Sequence, residues 1–500
     1  MGTAITSMPT QIIKMTSRSL KERTISGLIW NAIERFMVQG GQFVIRIMIA
    51  RMITPAEYGL VGMVAVFLVL SDVIINGGFS QALIQKKNRT DLDYSTVFYI
   101  NFALGLCIYG LLYGFAPEIS HFYKDERLID VIRLISLSIV IKSLSVVQIA
   151  KLSIELNFRL KTIVNFWAVL ISGIFAIYLA YMNYGVLALV YQAISYSAIV
   201  TLLMFIVSKW RPKWAFSFSR TKELFNFGSK VFLAGLLGVL SDNSYSILIG
   251  RIFTSKEVGF YSQGRNLPDL LSVNLFNVLQ GVLFPVMAAA QDDRERLMNI
   301  YKKSLDMTAF VVLPCMMGLV IIAEPFVKVF LTDKWLPSVF IIQWLALSRM
   351  IIPLGAINAN LLNAIGRSDL YLKIDLIKFP LTLLGLFISA PFGLKYMVMS
   401  NFVVSIFYFF INAYYPGKLF GYGAFKQLKD MLPVIISTAV MFLAVYYFSI
   451  DNGMIDMIAK ISLGGLVYIV CCACLKVNAL REVFIFARGK INKNSAGGIL

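Results

Sequence analysis

The sequence predicts an all-α integral membrane protein of about fourteen transmembrane helices. Two six-helix lobes surround a central cavity, and a further helix pair follows at the C-terminal side. Three observations carry this prediction. The composition is too apolar for a soluble core, the connections between apolar runs alternate between basic and charge-poor, and the end of the first span recurs 200 residues later.

Of the 500 residues, 58% are hydrophobic and 15% are charged. Soluble domains carry roughly 25% charge. An apolar excess of this size excludes a soluble enzyme, a disordered scaffold and a disulfide-stapled secreted module. The formal charge of +19 does not indicate nucleic acid, because the cations sit in short clusters between apolar runs. Cytoplasmic loops of polytopic membrane proteins carry their positive charge in this way. The five cysteines all lie within apolar runs and read as small core residues. The single histidine, His121, falls in a short outer loop and reads as an interfacial surface residue, which leaves little material for a catalytic triad or a metal cluster.

Taken in order, residues 1–24 form a basic cytoplasmic segment with Lys14, Arg18, Lys21 and Arg23. The apolar run after it is too long for a signal-peptide core and lacks a small-residue cleavage site, so it is a first transmembrane helix. A span needs about 20 mostly apolar residues. On that basis the N-lobe, 25–208, holds spans at 25–50, 58–83, 94–116, 128–150, 162–182 and 184–208. Residues 209–227 mix cations with aromatics and read as an amphipathic linker on the cytoplasmic interface. The C-lobe, 228–416, holds spans at 228–251, 266–289, 303–324, 337–363, 371–391 and 394–416. The pair at 429–449 and 456–476 completes the region 417–476, and 477–500 is a tail.

The loops support that count. Every second connection is basic: Lys86, Lys87 and Arg89; Lys151, Arg159 and Lys161; Arg211, Lys213 and Arg220; Arg294, Arg296 and Lys302; Arg367 and Lys373; Lys418 and Lys426. A wrong number of spans would break the alternation, so both termini are expected in the cytoplasm.

IMIARMITPAEYGL, from Ile47, matches ILIGRIFTSKEVGF, from Ile247. The identities pair Ile47 with Ile247, Ile49 with Ile249, Arg51 with Arg251, Thr54 with Thr254, Glu57 with Glu257 and Gly59 with Gly259. Six spans separate the copies, an even number, so the repeat is parallel. The two arginines end their helices where a guanidinium can snorkel. The two threonines cap the following helices, with glutamate at the capping-box spacing.

Ionisable and polar residues within spans face an interior or a water path. Asn31, Arg35, Gln39, Gln42 and Arg46 share one face of the first span, and Asp72, Asn76 and Ser80 one face of the second. Ser138, Lys142, Ser145 and Gln148 stripe the fourth. Asp242 and Ser246 occupy repeat positions in the seventh, Asn274, Asn277 and Gln280 lie in the eighth, and Arg349, Asn360 and Asn363 in the tenth. Cavity lining is the preferred reading of the set, with polar helix–helix contacts as the alternative. Arg35, Arg46, Lys142 and Arg349 make the cavity cationic, which suits a phosphate or pyrophosphate. The acids Glu34, Asp72 and Asp242 are candidates either for a coupling H+ or Na+ or for structural ion pairs. No other cofactor and no metal is expected.

SGLIWNAIERFMVQGGQFVIRIMIARMITPAEYGLVGM and SDVIINGGFSQALIQ, with LIGRIFTSKEVGFYSQGRNLPDLL and VLQGVLFPVMAA in the second half, resemble polysaccharide transporters of the MOP superfamily. The nearest type is the Wzx-like flippase, in its WzxC or colanic-acid branch. The resemblance implies a MOP/MATE-like fold. It also implies flipping of undecaprenyl-pyrophosphate-linked oligosaccharide across the bacterial inner membrane for O-antigen, capsule or exopolysaccharide assembly. The mechanism it implies is alternating access driven by an ion gradient, beside membrane lipids and a polysaccharide polymerase. The competing readings are a cation antiporter of the same fold, a membrane polymerase, glycosyltransferase or acyltransferase, and a non-transporting scaffold. The short loops and lone histidine count against the enzymes, and the membrane-depth cations against the antiporter and the scaffold.

Overall fold

The computed structural model describes residues 35–86 and 88–482. Among these the regular elements are all helical. A π-turn at Arg35–Gln39 leads into α1, Gly40–Met52. The chain continues through α2 (Pro55–Gly77), α3 (Phe79–Gln85), α4 (Asp91–Gly114) and the short α5 (Ala116–Tyr123). Then come α6 (Leu128–Ile135), α7 (Leu137–Ser143), α8 (Val146–Ile154), α9 (Phe158–Tyr181) and α10 (Val186–Ser208). The second half comprises α11 (Phe218–Ile252), α12 (Ser255–Ala289), α13 (Arg294–Phe326), α14 (Pro337–Ala364), α15 (Ser368–Ser389), α16 (Leu394–Phe420), α17 (Ala424–Tyr446) and α18 (Gly453–Cys474). The second to fourteenth expected spans each overlap one or more of these helices, and the first does so over its described part, 35–50. Among the described residues, ten helical stretches are long and apolar enough to cross a membrane. The protein is therefore a multi-pass membrane protein.

The two repeat starts are built alike. Thr54 Oγ1 accepts from the Glu57 backbone N–H, and Glu57 Oε2 accepts from the Thr54 backbone N–H at 2.8 Å, a full capping box at the start of α2. Thr254 and Glu257 repeat it at α12, with the return bond at 3.1 Å. Each cap contributes about 1 kcal/mol. Arg51 and Arg251 lie in the last turns of α1 and α11, as the repeat predicts. The last matched pair, Gly59 on α2 and Gly259 on α12, is different in kind. Gly59 is buried, and Gly259 is buried too, between Val258 and Phe260, which are themselves buried.

Two of the expected spans are not single helices. The second breaks at Gly78, between α2 and α3. The fourth, expected as one run over 128–150, is divided into α6, α7 and α8 at Ser136 and at Leu144–Ser145. Its serines explain the division. The hydroxyls of Ser136, Ser138, Ser143 and Ser145 each donate to the carbonyl three residues back, at 3.2, 2.6, 2.7 and 2.9 Å. Such bonds compete with the regular helical ladder. The hydroxyl of Thr201 on α10 supplies a further donor, to the Ile141 carbonyl.

The chain forms two compact units, Met1–Asn243 and Ser244–Leu500, so the division falls inside α11. In the first unit, Ala82, Leu83, Val97, Phe98, Val147, Ala150, Trp210 and Leu224 form one core cluster. The segment 209–217 is strapped over the start of α4. The Lys213 backbone N–H donates to Ser95 Oγ, that of Ser217 donates to Thr96 Oγ1, and Lys213 Nζ pairs with Asp91 at 2.6 Å. α11 then begins at Phe218, ten residues before the expected span. The run FSRTKELFNF contains no helix breaker, and Ser217 Oγ accepts from the Arg220 N–H at its start.

In the second unit, α17 and α18 pack on α13 within one large apolar cluster. A buried polar knot ties them there. Tyr301 donates to Asn358 Oδ1, and Gln427 Nε2 donates to both, at 3.0 Å each, and to the Tyr422 carbonyl. The Tyr422 hydroxyl donates to Asp430. Burial, together with that carboxylate, holds the phenol far above its usual pKa, so it stays a donor.

Candidate functional site

The second unit brings three charged side chains together. Arg265 and Asp269 lie four residues apart on α12, which places them on one helical face. The Arg265 Nε–H donates to Asp269 Oδ2 at 2.6 Å. From α14, the Arg349 Nε–H donates to the other oxygen, Oδ1, at 2.5 Å. Each carboxylate oxygen therefore serves a different guanidinium. Arg265 Nη1 also donates to Ser246 Oγ on α11, and Ser272 Oγ donates to the Arg349 backbone carbonyl.

Two guanidiniums share the one Asp269 carboxylate in a partly buried place; the Arg349 side chain is only 14% exposed. Charge-assisted bonds of this kind are the strong ones. They fix Arg349 through its side-on Nε. Its two terminal Nη groups have no hydrogen-bond partner among the described residues. The planar fork that matches two oxygens of a phosphate is thus oriented by Asp269 and left unused.

The first unit brings two expected residues together. Lys142 Nζ on α7 lies 2.7 Å from both carboxylate oxygens of Asp72 on α2. A residue expected to bind substrate is thus paired with Asp72, for which an ion pair is one of the two expected roles.

The remaining candidates are dispersed. Arg46 is exposed on α1, with Gln39 and Gln42 partly exposed on the same helix segment. Asp242 is exposed on α11, and Asn76 is half-buried near the end of α2. Gln148 is fully buried, and its amide folds back on the Leu144 and Ser145 carbonyls. Asn274 donates to the Leu270 carbonyl on its own helix. His121 is exposed, as expected, but it lies on the short helix α5 and not in a loop. Asn31 and Glu34, and the side chains of Arg35 and Asn277, lie outside the described residues.

Arg265 and Asp269 are absent from the polar stripes because they sit at the boundary of an expected span, where charge reads as a loop end. The signal that marks them is the opposite-charge pair at i, i+4 running into an apolar stretch. No group of His, Cys, Asp and Glu among the described residues is arranged to hold a metal ion.

Comparison with known proteins places these features. Residues 48–340, more than half of the chain, match the model of a family described as polysaccharide biosynthesis protein. The lipopolysaccharide biosynthesis protein WzxC of Escherichia coli is 25% identical over 72% of this chain and 74% of its own. The succinoglycan biosynthesis transport protein ExoT of Rhizobium meliloti is 22% identical over 94% of this chain and 96% of its own. Among solved structures, the lipid II flippase MurJ in an inward closed conformation superposes with a TM-score of 0.71. At 16% identity it covers 92% of this chain and all of that one, which shows a shared fold.

Proposed function

Because this chain belongs to the polysaccharide biosynthesis protein family and has the fold of MOP-superfamily transporters, we propose that it is a flippase for lipid-linked oligosaccharide. Its substrate on this reading is an undecaprenyl-pyrophosphate-linked glycan, moved from the cytoplasmic to the periplasmic leaflet of a bacterial inner membrane for O-antigen, capsule or exopolysaccharide assembly. The observation that carries the reading is Arg349, held by Asp269 with its guanidinium fork unused. A pyrophosphate supplies the paired oxygens that such a fork grips. The names of two relatives, a lipopolysaccharide biosynthesis protein and a succinoglycan transport protein, supply the glycan context.

In the mechanism we infer, the two lobes alternate access around the loaded headgroup, with Arg46 and Lys142 contributing further positive charge. A sodium or proton gradient drives the cycle, and Asp242 and Glu34 are the candidates to carry the ion. Both termini face the cytoplasm, and a polysaccharide polymerase consumes the delivered glycan. The cations Arg46, Lys142 and Arg349 disfavour the cation-antiporter reading, because like charge repels such a cargo.

Deleting the gene is expected to deplete surface glycan and leave its lipid-linked precursor in the cytoplasmic leaflet, with both effects reversed by a wild-type copy. Unchanged surface glycan alongside heightened sensitivity to cationic drugs would overturn the reading in favour of the antiporter.

A further inference from the structure

The Asp72–Lys142 pair differs from the two most buried lysine–aspartate pairs among the described residues. Lys460–Asp456 has side chains only 11% and 6% exposed, and Asp456 Oδ1 also accepts from the Ile450 N–H. Lys86–Asp93 is 13% and 0% exposed, and Asp93 further accepts from the backbone and hydroxyl of Thr90. Those are structural pairs: buried, and supported by bonds beyond the pair. Lys142 and Asp72 are 36% and 41% exposed, and neither side chain has a second partner among the described residues.

Their surroundings point to water. Asp72 precedes the break at Gly78 by six residues, and Lys142 precedes the break at Leu144–Ser145 by two. Non-helical backbone at membrane depth is tolerated where it is buried in protein or lines an aqueous cavity. A half-exposed charge pair beside two such breaks belongs with the second case, since facing hydrocarbon is costly for both groups.

We propose that Asp72 is the resting counter-ion of Lys142, displaced when the anionic headgroup arrives. A carboxylate presenting two oxygens to one ammonium is a weaker-charged stand-in for a phosphoryl group. Partly exposed pairs of this kind are weak, so the exchange is easy. The consequence is a limit on affinity. Without Asp72, Lys142 would grip the headgroup more tightly and release it more slowly; a carrier must bind firmly enough to load yet weakly enough to unload. This inference rests on the flippase reading and adds to it a residue that lowers affinity to speed release.

The test uses the full-length protein in nanodiscs, titrated calorimetrically with inorganic pyrophosphate, together with flipping of the lipid-linked oligosaccharide in vesicles. Asp72→Asn is expected to bind pyrophosphate about three- to fivefold tighter, the scale of a single weak ion pair at partial exposure, and to flip more slowly. Lys142→Ala is expected to bind more weakly, and the double variant to match Lys142→Ala alone. Asp72→Ser serves as a second removal of the carboxylate, should the amide disturb folding, and Asp72→Glu is expected to restore wild-type values. Unchanged or weaker binding in the folded Asp72→Asn and Asp72→Ser proteins would overturn the inference. Tightening that persists without Lys142 would overturn it too. In either case wild-type binding leaves the flippase reading standing, whereas a wild-type protein that neither binds pyrophosphate nor flips the glycan overturns both.

Discussion

Arg349→Ala is expected to abolish glycan export while the protein still inserts and folds. The side chain is held by one bond, from its Nε to Asp269 Oδ1, and its removal leaves Asp269 paired with Arg265 at 2.6 Å. No buried carboxylate is stranded, so the fold has little reason to fail. What disappears is the fork that would hold the pyrophosphate. Truncating one partner of a partly buried, hydrogen-bonded charge pair costs about 2–5 kcal/mol, so export should fall by more than roughly thirtyfold. Arg349→Lys keeps the charge but not the planar pair of donors, and is expected to recover only part of the activity. Arg46→Ala is likewise expected to stop export. Surface glycan measured against the amount of protein in the membrane checks all three. Wild-type export by both alanine variants would contradict a cationic substrate site.

The largest effect on folding is expected at Gly228. A Cβ there would lie 2.7 Å from the Gly78 carbonyl carbon and 2.8 Å from its oxygen, so α11 rests directly on the backbone at the break between α2 and α3. A backbone cannot rotate aside as a flexible side chain can. Gly228→Ala is therefore expected to cost about 3 kcal/mol or more, the upper end for overpacking, and larger side chains to prevent folding. Two controls separate this contact from a general intolerance of glycine replacement. Gly238, on the same helix, has open space at its Cβ position, and a Cβ at Gly78 meets nothing closer than 3.6 Å. Gly238→Ala and Gly78→Ala should leave the thermal midpoint in detergent nearly unchanged. Equal midpoints for all three variants would contradict the close approach.

The spans were legible because the bilayer demands long apolar runs, and the repeat was legible because a capping box is a local pattern. Thr54 with Glu57 and Thr254 with Glu257 need only three residues' spacing to specify their bonds. The burial of Gly59 and Gly259 was not written in that local pattern, because it depends on helices distant in the chain. The breaks in the fourth span were hidden for a different reason. Its stripe of Ser138, Lys142, Ser145 and Gln148 keeps a helical period even though serine hydroxyls interrupt the ladder. Pairings between distant segments were hidden altogether. Asp72 and Lys142 are separated by 70 residues, and Asp269 and Arg349 by 80, so periodicity marks each residue but not its partner. For that reason the acids at membrane depth read in the sequence as either ion carriers or members of ion pairs, and the structure shows Asp72 paired with a cation of its own chain.

The most direct test of the account follows a fluorescent undecaprenyl-pyrophosphate oligosaccharide across proteoliposomes, with and without a sodium or proton gradient. The account predicts leaflet exchange that accelerates under one of the two gradients and fails in Arg349→Ala. Absence of movement with a range of glycans, alongside efflux of small organic cations from the same vesicles, would contradict it.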